Sequence, residues 1–307
     1  MSERDPQVKK RWYTRLMDNY RHNDIYIPGF NFLTRNALRT KAESHFKRIS
    51  TEGKRSEKEI SVWVDSKSFF FGYGVYRSGT TFLADFLNRH VRRTVVQHEA
   101  NVNDYWFYAK AIHSDQEAEL YATEYRKAEV YFRTDGLDFD VYGEINPFLR
   151  RHCAAMKLAF PDAKQFQIVR DPRNVLRSLM SRELFDRKDP MGDLIFPPKN
   201  DHFSEKWNTM SRFEKLCWLW AADNRFIREN TGHTILFENL RKDFDYFEEN
   251  VLKFLGLEMD AKNWHSEINQ VYNSTPRYTF PKYADWSRAQ KQQFEKICGE
   301  ELAIYGY

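Results

Sequence analysis

Cysteine is scarce in this 307-residue chain: Cys153, Cys217 and Cys298 are its only three, and they lie far apart. An odd, dispersed set supports neither a disulfide framework nor a zinc site, so buried reduced thiols are the expectation. No other cluster of side chains reads as a metal site. Long hydrophobic runs are missing too. Nowhere do about 18 apolar residues follow one another without a charge, and the opening stretch MSERDPQVKKRWYTRLMDNY holds no apolar signal core. The expectation is a cytoplasmic protein without a transmembrane segment. Charge of one sign is not in excess either. The formal net charge is only +4, which argues against a nucleic-acid partner yet still favours a small polyanionic ligand. Repeats and low-complexity tracts are absent.

What remains is a composition able to build a core, with 41% hydrophobic and 16% aromatic residues. The length prior is roughly two domains, although single α/β domains often run this long. Residues 1–60 read as a helical N-terminal extension packed on the rest, two or three short helices joined around Pro28-Gly29. STEGKRSEKE reads as a polar loop, and ISVWVDSKSFFFGYGV as strands. From Phe69 onward strand-like and helix-like runs alternate: FFFGYGV, TTFLADFLNRH, TVVQHE, NPFLRRHCAAMKLAF, KQFQIV, PRNVLRSLMSREL, HTILF and FDYFEENVLKFLG. Such alternation predicts an α/β fold, a central parallel sheet flanked by helices. Between 186 and 212 the pattern dissolves into a long insertion, which reads as a lid or binding loop on a domain spanning 61–307.

Within FFFGYGVYRSGTTFLADFL, the stretch Gly74 to Thr81 is G-V-Y-R-S-G-T-T. It nearly matches the phosphate-cradling loop G-x-x-x-x-G-K-[ST], but Thr80 stands where the lysine belongs. Glycines at 74 and 79 let the backbone approach phosphate oxygens, and the helix opening at Thr80 offers free N–H groups and a positive dipole end. Without the lysine, nucleotide triphosphate hydrolysis is disfavoured. Arg77 supplies a guanidinium fork at the mouth of the loop instead. A second segment, FQIVRDPRNVLRSLMS, sets Arg170 at the end of an apolar strand and Ser178 eight residues later, with Pro172 suited to a first helical turn. About two turns of helix at ~1.5 Å per residue bring both side chains within reach of one phosphate.

Together, YRSGTTFL and VRDPRNVLRS resemble the 5′-phosphosulfate loop and the 3′-phosphate motif of the sulfotransferases that use 3′-phosphoadenosine 5′-phosphosulfate (PAPS). ILFENLRKDFDYFEENVLKFLGL and FEKICGEELAIYGY resemble later family elements in the same order, so the likeness runs from about Phe69 to Tyr307. It is closer to tyrosylprotein and bacterial members than to cytosolic aryl sulfotransferases. The resemblance implies a P-loop NTPase-like sulfotransferase fold, PAPS as sulfuryl donor with adenosine 3′,5′-bisphosphate (PAP) as product, and no metal. It also accounts for the missing lysine: the family moves a less charged group than phosphoryl, without magnesium.

Carried over residue by residue, the resemblance gives Arg77, Ser78, Gly79, Thr80 and Thr81 to the 5′-phosphate and sulfonate, with Arg77 stabilising the leaving phosphate. Arg170 and Ser178 go to the 3′-phosphate. Phe82 and Phe237 fall where relatives have aromatic neighbours of adenine, and either could equally be core. In NSTPRYTFPKYADW, which resembles the loop wrapping the nucleotide, Arg277 and Lys282 are candidate 3′-phosphate contacts. The catalytic base is less settled. Cytosolic members place a histidine in a T-H-L-P sequence; EINPFL puts Ile145 there. Other relatives use a glutamate after the second strand, where VVQHEANVND offers Glu99 with His98 beside it, and Glu144 is a third candidate. Strand alternation lets only one of His98 and Glu99 face the cleft.

Two other readings stay open: a P-loop kinase, and a non-catalytic nucleotide-binding protein. The acceptor is an unidentified small molecule, lipid or carbohydrate. The aromatic segments DLIFPPKNDHFSEKWNTMSRF and NDIYIPGFNF read as walls of its pocket, or alternatively as a homodimer contact.

Overall fold

The computed structural model describes residues 30–101, 103–269 and 278–307. Five strands, β1 (Ser68–Tyr73), β2 (Thr94–Gln97), β3 (Val141–Ile145), β4 (Lys164–Val169) and β5 (Thr234–Leu236), form one sheet in the order β2-β3-β1-β4-β5. All pairings are parallel, as the alternating pattern predicts. Thirteen α-helices are described: α1 (Phe30–Arg55), α2 (Glu57–Asp65), α3 (Thr80–His90), α4 (Asp104–Ala111), α5 (Asp115–Leu120), α6 (Lys127–Thr134), α7 (Cys153–Ala159), α8 (Pro172–Met180), α9 (Arg212–Thr231), α10 (Phe237–Lys242), α11 (Phe244–Phe247), α12 (Ala261–Glu267) and α13 (Arg288–Tyr305). None is long and apolar enough to cross a membrane.

The central strand shows how the layers arise. In SFFFGY only Ser68 is exposed, because a parallel strand covered on both faces reads as one apolar run. Side-chain alternation then sends Phe69, Phe71 and Tyr73 into one core cluster and Phe70 into another on the opposite face. A third cluster gathers beyond the carboxyl ends of β1 and β4, around Val75 and Val169, between α8, α9 and α13. Phe70 and Phe71 are essentially fully buried, each contributing about 2–3 kcal/mol by burial.

Four local expectations are revised. Ile60–Asp65 is helix, not strand: Ile60 is buried at the spacing that also turns Trp63 inward, and the Trp63 ring packs on Phe69, Tyr131 and Phe139. Packing outweighs the β-branched propensity of the run. STEGKRSEKE is not a loop but the end of α1 and the start of α2. Its Gly53 serves a close helix contact, since a Cβ there would lie 2.6 Å from Ala128 Cβ. The described part of the N-terminal region is the 26-residue α1 followed by the start of α2, and Pro28-Gly29 lies outside the described residues. NPFLRRH is a short 3₁₀ turn at Pro147–Leu149, with the helix beginning only at Cys153.

The segment 186–212 is tied down by polar contacts. Asp189 accepts hydrogen bonds from the backbone N–H groups of Phe185 and Met191, both at 3.0 Å. Arg212 donates to the carbonyls of Leu179, Met180, Arg182 and Leu184. Met191 and Ile195 are buried.

Candidate active site

From β1 the chain moves leftward in the sheet to β2 and β3, then rightward to β4, so the switch point lies between β1 and β4. Ligands of open α/β sheets bind outside the carboxyl ends of the strands at such a point. The two segments singled out by spacing, 74–81 after β1 and 170–178 after β4, both emerge there.

Gly74 is close to the β4 backbone: a Cβ would lie 2.8 Å from Ile168 O. Gly79 adopts φ +96° and a Cβ on it would lie 2.1 Å from the Phe237 ring, so only glycine closes the loop against that ring. No side chain caps α3, which begins at Thr80, leaving its first N–H groups available to an anion. The Ser78 hydroxyl is buried with no partner among the described residues.

Arg77 joins the two segments. Its φ of 72° is unusual for a residue with a Cβ and is the kind of local strain that clusters at functional sites. Its Nε donates to Ser178 Oγ at 2.9 Å, while Arg170 Nη1 donates to the Arg77 carbonyl at 2.9 Å. The Arg170 guanidinium also lies over the Phe237 ring at 5.0 Å, and its Nε is buried with no partner among the described residues. Burial first, then the neighbouring charges of Arg182 and Arg170, lower the Arg77 pKa below its ordinary value. A bound anion would relieve that crowding. The turn is braced from behind: Asp171 caps α8 through Arg173 N at 2.9 Å, Glu238 Oε1 accepts from Asp171 N at 3.2 Å, and the Tyr307 hydroxyl donates to Glu238 Oε2 at 2.7 Å.

The three base candidates occupy different environments. His98 Nδ1 lies 2.7 Å from the carbonyl oxygen of Ile145. A carbonyl only accepts, so Nδ1 carries the proton and a neutral ring accepts at Nε2, where Thr81 Oγ1 donates at 2.9 Å. His98 thereby ties β2 to the loop. Glu99, with φ 46°, turns out of the strand into the cavity, its Oε1 3.6 Å from His98 Nε2. Glu144 is fully buried away from the cavity, where it accepts from Arg126, Tyr142 and Asn146. Burial alone pushes its carboxyl up, but Arg126 and Arg133 hold it below the ordinary range. Asp104 is enclosed in the same network by Arg126, Tyr121 and Asn146.

A cavity of about 370 Å³ opens over the loop, with Arg77, Gly79, Thr80 and Thr81 at its floor. Its walls belong to two different core clusters. On one side stand Phe82 and Phe237, edge to face at 6.3 Å, with Arg241 near both rings. Both phenylalanines line the cavity and both are largely buried. On the other side stand Tyr76, Tyr105, Phe148, Leu179 and Leu184. Tyr76 and Tyr105 meet Phe148 at 5.6 and 5.3 Å, and the buried Arg150 guanidinium braces this corner over the Tyr76 ring at 4.4 Å. Among the described residues lining the cavity Glu99 is the one carboxylate.

Lys282 is exposed and does not line the cavity, and Arg277 lies outside the described residues. Their loop does return to the site: Tyr278 lines the cavity beneath Arg177 at 4.0 Å, and Thr279 N donates to Ser181 Oγ at 3.0 Å. No residue of 193–213 lines the cavity. Tyr76, Tyr105, Phe148, Arg182 and Arg241 were not singled out from sequence. Tyr76 lies inside the loop, Phe148 in EINPFL, Arg182 in PRNVLRSLMSREL and Arg241 in ILFENLRKDFDYFEENVLKFLGL, so of the five only Tyr105 falls outside the quoted stretches.

Among the described residues no group of three or more His, Cys, Asp or Glu could hold a metal. The sulfotransferase family model matches residues 70–261. Among solved structures, sulfotransferase STF9 from Mycobacterium avium aligns over 92% of this chain and 87% of its own, at 12% identity and a TM-score of 0.51. Sulfotransferase STF1 from Mycobacterium tuberculosis H37Rv aligns over 81% and 82%, at 12% identity and a TM-score of 0.47. No curated protein matches the chain.

Proposed function

Because the chain belongs to the sulfotransferase family, we propose that it moves a sulfuryl group from PAPS to a hydroxyl or amine of a small-molecule, lipid or carbohydrate acceptor. The observation that carries this reading is the convergence of Arg77, Ser178 and Arg170 over an uncapped helix start. The loop backbone from Ser78 to Thr81 takes the 5′-phosphosulfate. Arg170 and Ser178 take the 3′-phosphate, with Phe237 and Phe82 flanking the adenine. Such a cradle needs no lysine.

The acceptor oxygen or nitrogen attacks sulfur as the bond from sulfur to the bridging phosphate oxygen breaks. Arg77 meets the charge developing on the leaving phosphate, a preorganised stabiliser in a partly buried site. Glu99 takes the acceptor's proton, as a carboxylate set beside the loop by the left-handed turn after β2. His98 holds Thr81 and β3 in place, and Glu144 is structural, since its oxygens are committed to Arg126, Tyr142 and Asn146.

The test is incubation with sulfuryl-labelled PAPS and an acceptor panel in EDTA. Labelled acceptor and an equal yield of PAP are expected. Activity that appears only on adding magnesium, or donor binding without any turnover, would replace this reading with the kinase or the non-catalytic one.

A further inference from the structure

The cavity holds more positive charge than a donor-binding role accounts for on one of its walls. Arg170 and Arg241 belong to the side of Phe237 and Phe82. Arg182 belongs to the other side, flanked in the cavity lining by Leu179 and Leu184, whose cluster also holds Tyr76, Tyr105 and Phe148. It sits one helical turn past Ser178. Its backbone is fixed at both ends: its N–H donates to Leu179 O at 2.9 Å, and its carbonyl accepts from Arg212 Nη2. Its guanidinium is exposed and no carboxylate among the described residues forms an ion pair with it. It is also close enough to Arg77 to be the larger of the two arginine charges lowering that residue's pKa.

The rest of that wall is mainly aromatic and aliphatic. Tyr76, Tyr105 and Phe148 form a packed aromatic corner, and among the described residues no Asn, Gln or Asp side chain lines the cavity. A polyhydroxylated sugar would find few partners there, whereas a ring would stack or meet edge to face. A guanidinium at the rim of such a wall suits a carboxylate, which it can grip with two donors.

We propose that Arg182 reads an anionic group on the acceptor, so that the acceptor is an aryl or similarly flat apolar alcohol bearing a carboxylate or comparable anion. This rests on the sulfotransferase reading above. The hydroxyl end points to Glu99 and Arg77, and the anionic end to Arg182.

A matched pair of acceptors tests it: p-cresol, neutral, and 4-hydroxyphenylacetate, which adds a carboxylate at the far end. PAP binding by calorimetry serves as the donor-site control. The expected result is a kcat/KM at least tenfold higher for 4-hydroxyphenylacetate, expressed mainly in KM. In Arg182→Gln that ratio should fall to within threefold, with PAP affinity unchanged, and Arg182→Lys should restore part of it. Equal kcat/KM for the two probes in the wild-type protein, a preference that survives Arg182→Gln, or no turnover of either probe would overturn the proposal. So would a tenfold loss of PAP affinity in Arg182→Gln, which would place this arginine on the donor. Failure of the wild-type protein to bind PAP at all would instead remove the sulfotransferase reading beneath it.

Discussion

Removing the 3′-phosphate from the nucleotide isolates the part of the site built by Arg170 and Ser178. In the protein without ligand, Ser178 Oγ accepts from Arg77 Nε and Arg170 Nη1 donates to the Arg77 carbonyl. AMP therefore leaves these groups largely paired with each other, and the penalty of unsatisfied buried donors is mostly avoided. What AMP loses is the net worth of charge-assisted hydrogen bonds, about 1.5–3 kcal/mol. At about 1.4 kcal/mol per decade, PAP should bind roughly tenfold to a hundredfold more tightly than AMP. Titration calorimetry in EDTA, at one fixed salt concentration, measures the ratio directly. Ser178→Ala should narrow it, because the serine hydroxyl accepts from Arg77 Nε at 2.9 Å. Equal affinities for PAP and AMP in the wild-type protein would refute the assignment of Arg170 and Ser178 to the 3′-phosphate, whatever the loop binds.

Arg77→Ala should keep the fold, since arginine and alanine carry the same Cβ into the φ 72° conformation; single-turnover rates should fall about a hundredfold or more while PAP affinity changes far less. Normal turnover in that variant would displace the reacting centre from the loop. Glu99→Gln preserves shape but removes the base, so turnover should drop by ~10²–10⁴ with PAP binding nearly unchanged; a fully active Glu99→Gln beside a dead His98→Ala would move the base to the histidine. His152 is buried, and burial first, then Arg126, lowers its pKa to about 3. The unfolded chain, with a histidine near 6.5, binds the extra proton as pH falls, so stability is lost between about pH 6.5 and 3, up to about 5 kcal/mol over the full span. Urea unfolding of His152→Phe, which keeps a ring against Tyr121 at a site where the centroids are 4.3 Å apart, should show a shallower decline from pH 6.5 to 4 than the wild type; parallel curves would show that His152 does not titrate with unfolding.

Much of the site was legible because its marks are local. A glycine turn between an apolar strand and a helix is specified within about a dozen residues, and so is an arginine two helical turns from a serine. Both needed only backbone geometry and short-range spacing, and the missing lysine could be read from one position. β3 escaped notice for the opposite reason. VYGEI has little pattern of its own, and is a strand because β1 and β2 pair with it and Gly143 lets the Phe70 ring lie where a Cβ would sit 2.0 Å from its Cζ. Ile60–Asp65 carries strand-forming residues and is helix because Trp63 has aromatic rings to meet.

The base candidates divide along the same line. His98, Glu99 and Glu144 are equivalent as letters near strand ends. Their separation into a brace, a cavity carboxylate and a buried ion partner depends on Ile145 O, on a left-handed turn and on Arg126, which reaches Glu144 across 18 residues of chain. The cavity wall of Tyr76, Tyr105, Phe148 and Leu179 draws on the loop, α4, the 3₁₀ turn and the end of α8, four places with no common spacing. The sequence by itself determined the glycine turn, the arginine–serine spacing and the strand–helix alternation that marks a parallel sheet, since periodicity and turn chemistry act over a few residues. Only the tertiary structure decided which carboxylate faces the cavity and which side chains wall it, because burial and Coulomb interactions depend on distance in space rather than along the chain.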